Sequence, residues 1–487
     1  MAGFPRRSRL LLLPVVGLAV VVACATNPVT GQRQFNLMSE GQEIGIGRDA
    51  HPQIEAEMGF YDDPALQAYV SGIGLEMARR SERPELPWTF TVVDETAINA
   101  FAVPGGFIYL TRGILAFLGD EAELAGVLGH EIGHITARHS AQQYTQQVLG
   151  TVGLLGAAIL APQAAQPILQ GGGAALQVLG LRYGRQDETE ADELGARYTA
   201  ASGWDPAGVQ GMLSTLGRID ESRGETSNVP NWLSTHPDPL SRVAEVGPVV
   251  NSLRAQGGTF VRDRDEYLSY IDGMVYGDNP DEGVIRGSRF LHKPLRFRLD
   301  FPGGWEIQNS PSQVVAKAPG ADIYMLLMDS GAPSDIPLRE AATRSMTNGG
   351  FTLLRGTGET INGLDAFVGI YRGAFEGLGE VLMRTAHIRH GDITYMVGGF
   401  ASETQFNQVQ NVVADSFRSF APLTEAEAEA IQPNRVDMYV VRTGDTWTEI
   451  ASRSGGLIEA PSLAIMNGSD PATPPLVGQR IRIVVAG

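Results

Sequence analysis

The chain has 487 residues, room for about three domains, and its 59 Gly, 28 Pro and 43% hydrophobic residues exclude both a collagenous and a wholly disordered polymer. Charge is lopsided, 37 Lys+Arg against 55 Asp+Glu for a net −18, with no basic tract, so nucleic acid is not an expected partner. The single cysteine, Cys24, excludes an intramolecular disulfide framework and a Cys-based metal site.

The N-terminus places Arg6, Arg7 and Arg9 before an apolar run from Leu10 to Val22, then Ala23 and Cys24. A basic region, a short apolar stretch and a small residue at the cut read as an export signal over residues 1–23, too short for a spanning helix. Val21–Cys24 resembles a bacterial lipobox, which would make Cys24 the lipidated first residue of the mature chain. Ala25, rather than Asp, after the cysteine points to the outer membrane, with the protein anchored there and facing the periplasm. Loss of the three leader arginines would take the net charge from −18 to −21.

Residues 24–40 are polar and read as a tether. Asp63-Pro64 signals a helix start, followed by the apolar stripe Leu66, Tyr69, Val70, Ile73 and Met77. Phe90–Val93 and Phe107–Leu110 read as strands, the second after the turn Pro104-Gly105-Gly106. Asp120 with acidic residues behind it opens a helix expected to run to about His139. Gln142–Leu181 carries no formal charge and is broken by Pro162, Pro167 and Gly171–Gly173, the pattern of an Ala/Gly-rich hairpin or a flap.

That capped helix carries His130-Glu131-Ile132-Gly133-His134, an HExxH motif. Histidines at i and i+4 leave one helix face a turn apart, the spacing for two nitrogens to reach one Zn2+, and Glu131 between them can serve as base for a water at the metal's open position. Gly129 and Gly133, poor helix formers, fit a place where bulk is excluded. A metzincin continuation would need Gly at 137 and His at 140; Ala137 and Ser140 stand there instead. The third ligand is then sought in the acidic run Asp187–Asp192, where Glu188 and Asp192 share a helical face. One can bind zinc while the other accepts a hydrogen bond from a ligand histidine. His139, nine residues after His130, falls half a turn off the ligand face and reads as structural. His51, His292, His387 and His390 have no metal-type spacing.

Asn99–Tyr109, His130–His134, Arg138-His139-Ser140, Glu188–Gly195, and Ser234–Pro237 with Arg242 together resemble the HtpX-like zinc metallopeptidases, which include the CaaX prenyl endopeptidase. The resemblance covers about residues 30–250. It implies a gluzincin-type, mainly α domain with a small β-sheet, one Zn2+ per chain held by His130, His134 and Glu188, and Asp192 beside them; Glu190 is the weaker ligand candidate. By family position His236 and Arg242 are candidates to stabilise the oxyanion, His236 alternatively to close the metal site as a fourth ligand. The strand at Asn99–Val103 or that at Phe107–Leu110 would pair with an extended substrate. With the lipobox, the chain is similar to the BepA/LoiP type of periplasmic quality-control lipoprotein, although no TPR-like repeat follows.

The expected organisation is a multidomain chain. It has a peptidase domain at 41–256, a connector at 257–288, an α+β domain at 289–421, a linker at 422–436 and a last unit at 437–487. Strands at Phe297–Phe301, Val314–Lys317, Ile323–Met328, Ala366–Tyr371 and Ile393–Val397 precede a helix with the apolar face Phe406, Val409, Val413, Phe417 and Phe420. The Phe301–Trp305 start and Asp415–Phe417 end resemble small domains of the PsbP/Mog1 type. The last unit opens with a strand, a turn and the capping box Thr446/Glu449, and returns as a strand at Val477–Val485. This βααβ order resembles a LysM domain, which implies binding to peptidoglycan-type glycan. The expected function is a zinc metalloendopeptidase of the bacterial envelope acting on misfolded or unassembled envelope proteins. The alternatives are a non-catalytic assembly factor that holds clients for the outer membrane and a wall hydrolase suggested by the last unit alone.

Overall fold

The computed structural model describes residues 24–36, 38–143, 145–146, 183–223, 232–375 and 378–487. The export signal and most of the uncharged stretch, 147–181, lie outside the described residues. The chain divides into two compact units. One comprises the residues through Glu55, Gly59–Met274 and Arg435–Val485; the other comprises Val275–Asn434 with Ala56–Met58 and Ala486–Gly487. Among the described residues no helix is long and apolar enough to cross a membrane.

In the first unit the expected tether is a small hairpin, β1 (Cys24–Thr26) against β2 (Arg33–Phe35), turned by Asn27, whose Oδ1 accepts from Val29 and Thr30. Helix α1 (Glu40–Met58) follows, started by a capping box of Ser39 and Gln42. Helix α2 (Pro64–Ala78) starts where Asp63 accepts from the amides of Ala65 and Leu66. It buries Leu66, Val70, Ile73 and Met77, while the Tyr69 ring stacks on Tyr270 at 3.9 Å.

A three-stranded sheet follows: β3 (Thr89–Val93), β4 (Ala100–Val103) and β5 (Phe107–Thr111), in the order β3-β5-β4. β5 is central, parallel to β3 and antiparallel to β4. Its backbone is therefore claimed on both sides, and of the two strands considered for substrate pairing only β4 lies at an edge. Short helix α3 (Arg112–Phe117) leads into α4 (Glu121–Thr136), which is buried along its whole length. A helix sheathed on every side must be small or apolar wherever it crosses a neighbour.

Glycines meet this demand. Helix α5 (Arg185–Ala201) crosses α4 so closely that a Cβ on Gly129 would stand 2.9 Å from the Gly195 carbonyl, and one on Gly133 3.0 Å from that of Ala191. The bulk excluded by Gly129 and Gly133 is thus the α5 backbone rather than anything at a metal. The close crossing offsets the ~1 kcal/mol that each helical glycine costs.

Helix α6 (Ala207–Arg223), short helix α7 (Trp232–Thr235) and α8 (Pro239–Ala255) complete this wall. The expected connector contains α9 (Arg264–Ile271), whose Tyr267, Leu268 and Ile271 are buried. Three apolar residues within one turn are easily hidden among Gly and Asp.

The C-terminal segment is part of this same unit rather than a detached module. Strands Arg435–Val440 and Arg480–Val485 pair antiparallel around two helices, Trp447–Arg453 and Ala460–Met466, and the Thr446/Glu449 capping box is present. Fully buried Arg482 donates to the carbonyls of Ala116 and Leu118, at the end of α3.

The second unit is built on a seven-stranded antiparallel sheet spanning Glu306–Ser402. Helix Glu403–Arg418 covers one face through Phe406, Val413 and Phe417, and helix Leu338–Asn348 packs on the other beside Met383, Met396 and Phe400. The strands at Thr352–Ile361 and Gly379–His390 were not expected, because polar residues interrupt their apolar alternation. The expected linker is ordered: Ala421–Pro422 pairs with strand Phe297–Asp300, and a capped helix spans Glu425–Glu429.

Candidate metal centre

Helix α4 sets the site. Asp120 accepts from the Glu123 amide at 3.0 Å, the Glu123 carboxylate turns back to the Gly119 amide at 2.7 Å, and two turns later His130 and His134 leave the same face. Their Nε2 atoms stand 3.0 Å apart in a fully buried space. The glycine crossing brings Glu188 and Asp192 of α5 onto this face. Glu188 Oε1 lies 3.4 Å from His134 Nε2 and Oε2 lies 3.7 Å from His130 Nε2. His236 arrives from the end of α7, its Nδ1 2.9 Å from Glu188 Oε1 and 3.2 Å from His130 Nε2. One donor atom each from His130, His134, Glu188 and His236 lie within 4.8 Å of one another, all buried.

The surroundings fix how these groups present themselves. His130 Nδ1 lies 2.9 Å from Asp192 Oδ1. A carboxylate there demands the Nδ1–H tautomer, so neutral His130 directs its Nε2 lone pair into the cluster. Asp192 is held by Arg242, whose Nε and Nη2 donate to its two oxygens at 2.8 and 2.7 Å. Arg242 Nη1 pairs with Glu188 Oε2 and reaches the Pro237 carbonyl at 3.5 Å. Arg242, expected near an oxyanion, here directs its donors at carboxylates and a carbonyl within the wall.

Electrostatics favour a cation. Burial holds the His134 imidazole well below its ordinary pKa, so it is a neutral ligand. Burial alone would raise Glu188, but His236, His134 and His130 outweigh it and hold its carboxyl well below the usual range. Glu131 is the reverse case: burial raises it, and His236 and His130 only partly offset that. The carboxylates of Glu131, Glu188 and Asp192 outnumber the guanidinium of Arg242 in this buried space, and the pull of Glu188 and Glu131 raises the His236 imidazole against its own burial, so the site attracts positive charge. Three imidazoles and a carboxylate are also the donor chemistry that zinc takes, in tetrahedral number. The residues fit the ion.

Glu131 lies beside this set. Its two oxygens are buried without a hydrogen-bond partner among the described residues, and Oε1 is 3.7 Å from His236 Nε2. An unclaimed carboxylate is able to accept a proton.

Three contributors were not found from the sequence. Tyr183 stacks on His134, centroids 3.8 Å apart, with its hydroxyl 2.9 Å from Ser140 Oγ. Trp232 stacks on His236 at 4.5 Å, and its amide donates to the Ile98 carbonyl, just before edge strand β4. His139 is the third. The sequence reading put it half a turn away by continuing one helix, but α4 ends at Thr136 and Arg138 takes φ +62, so helical phase is lost. The break swings His139 Nδ1 to within 2.9 Å of His134 Nδ1. The signal available was Arg138-His139-Ser140, one of the segments carrying the family resemblance.

Residues 64–248 match the model described as Peptidase family M48. The beta-barrel assembly-enhancing protease of Escherichia coli is 32% identical over 236 residues, 47% of this chain and 48% of that protein. The mitochondrial metalloendopeptidase OMA1 of Schizosaccharomyces pombe is 30% identical over 225 residues, 45% of this chain and 64% of that protein. This chain thus spans about half the length of the bacterial relatives it matches. Among solved structures, PsbP of Synechocystis matches 28% of this chain and 95% of its own at 16% identity, TM-score 0.23.

Proposed function

We propose that this chain, whose residues 64–248 match Peptidase family M48, is a zinc-dependent metalloendopeptidase of the bacterial envelope, acting on misfolded or unassembled envelope proteins. The observation that carries it is the buried donor set of His130, His134, Glu188 and His236 with the unclaimed Glu131 carboxylate beside it. Zn2+ bound there would supply Lewis acidity toward the scissile carbonyl and acidify a water. Glu131 takes the proton from the attacking water and delivers it to the leaving amide nitrogen, a task suited to a carboxyl that burial has made more basic. Asp192 holds the His130 tautomer, and Arg242 pairs with both Asp192 and Glu188 within the buried wall. Edge strand β4 gives an extended substrate backbone a pairing surface with little sequence selectivity.

His236 gives the site a second state. Four protein donors make a closed set, whereas a catalytic zinc site keeps one position open. His236 as fourth donor describes a resting enzyme, and its withdrawal opens the position for water and substrate. The same closure supports the alternative of an assembly factor that holds clients without cutting them.

For the setting, Cys24 as a lipidated residue would anchor the protein to the outer membrane on its periplasmic side, and the β-α-α-β segment Arg435–Val485 would act as a LysM-like contact to peptidoglycan. The bacterial relative is named for enhancing β-barrel assembly, which supports β-barrel proteins as clients at such a membrane. The test is zinc content and casein cleavage of the mature chain beside Glu131→Gln. One zinc in both, with cleavage only in the wild type, supports the peptidase; zinc without cleavage in either points to a site held shut, which His236→Ala then tests; absence of zinc in the wild type refutes the metal site and favours client holding.

A further inference from the structure

The two HExxH histidines are oriented by different devices. His130 donates directly to Asp192, which is buried and held by Arg242. Among the described residues no carboxylate meets His134 Nδ1; what stands there, at 2.9 Å, is the Nδ1 of buried His139. The other nitrogen of His139, Nε2, lies 3.4 Å from Glu190 Oε2 and 3.9 Å from Asp187 Oδ1. Both of these carboxylates are about one-third exposed, at 33% and 30%.

Proton placement follows from the donor rules. A neutral His134 that gives its Nε2 lone pair to a metal carries its hydrogen on Nδ1, and that hydrogen needs an acceptor. His139 Nδ1 is the atom in reach, so it must be bare. The His139 hydrogen then sits on Nε2, which is the nitrogen aimed at Glu190. Every hydrogen in the chain Glu190–His139–His134 thereby has one consistent position. The reverse arrangement would set two N–H groups against each other at 2.9 Å and leave Glu190 facing a lone pair.

We propose that His139 is a positioning residue for the metal ligand His134, and that Glu190 fixes the His139 tautomer. The inference rests on the metal-site reading above. It gives Glu190 a task other than ligation and makes the short turn at Arg138 part of the site. Hydrogen-bonding partners of this kind are worth about 10–100-fold in metal affinity.

The test is zinc affinity by chelator competition, with the visible spectrum of the Co2+-loaded form, for the mature chain and three variants. His139→Leu keeps apolar volume but removes the acceptor, and is expected to weaken zinc about 10–100-fold and shift the Co2+ bands. His139→Asn places an amide oxygen near the old Nδ1 and is expected to restore affinity to within about 5-fold of wild type. A packing role would favour Leu over Asn. Glu190→Leu, at the partly exposed end, is expected to weaken zinc several-fold with the metal-free melting temperature unchanged, which keeps the test decisive if His139→Leu does not fold. Wild-type affinity in Glu190→Leu and His139→Leu, or equal losses in the Leu and Asn variants at 139, overturns the proposal while leaving the metal site intact. A wild-type chain that binds no zinc overturns both.

Discussion

Arg242→Met tests the electrostatic account of the site most directly. The guanidinium is 1% exposed, donates to both oxygens of Asp192 at 2.8 and 2.7 Å, and pairs with Glu188 through its remaining amino group. Methionine keeps much of the volume and leaves two buried carboxylates without their cation. Breaking a buried ion pair from one side costs about 3–5 kcal/mol. At roughly 2–4 °C per kcal/mol for a domain of this class, the metal-free melting temperature should fall on the order of 10 °C. Saturating zinc should shrink the loss to roughly half, because the ion gives Glu188 a new countercharge but does not reach Asp192. Differential scanning calorimetry of wild type and variant, each with chelator and with zinc, reads all four values. A metal-free loss under about 1 kcal/mol, the size of a surface pair, would refute the claim that Arg242 neutralises buried charge. An equal loss with and without zinc would refute the claim that the ion and the arginine share Glu188.

Glu131→Gln should retain zinc and lose about 10²–10⁴-fold in casein turnover, and loss of the metal instead would make Glu131 a structural residue. His236→Ala should weaken zinc yet raise turnover at saturating metal; unchanged or lower turnover would refute closure by His236. Burial, with help from Asp120, pushes the Glu123 carboxyl up to about 7. The native state thus holds this proton more tightly than the unfolded chain, so the cost of ionisation is absent below pH ~4.5 and complete above ~7. Glu123→Gln should therefore stabilise the first unit by about 2–3 kcal/mol at pH 8 and have little effect at pH 4.5, read from melting temperatures. His387 in the second unit has the opposite sign. Burial lowers it to about 4, and both ring nitrogens lack a partner among the described residues. Its contribution is full above pH ~6.5 and lost as pH falls toward 4, so His387→Leu should remove part of the acid sensitivity seen in hydrogen exchange of strand Gly379–His390.

Local chemistry was legible in the sequence. The Asp120 cap, the i,i+4 histidines and the Glu188/Asp192 pair are short-range patterns, because one helix turn fixes which side chains share a face. The same holds for the Asp63-Pro64 start and the Thr446/Glu449 box, where an orphan amide needs an acceptor within three residues. The covering helix of the second unit was legible through Phe406, Val413 and Phe417, since periodicity reports burial directly.

Tertiary structure decided whatever depends on partners distant in sequence or on a break in phase. The glycines of α4 took their meaning only when α5 crossed them. Arg242 changed role because Asp192 and Glu188, 50 or so residues earlier, claim its donors. The packing of Arg435–Val485 against the rest of the first unit uses partners distant in sequence, among them buried Arg482, which reaches carbonyls more than 360 residues away, and no local pattern encodes them. His139 was misplaced by half a turn because a single positive φ at Arg138 resets the direction of the chain, and a helical wheel carries no information beyond the residue where the helix stops.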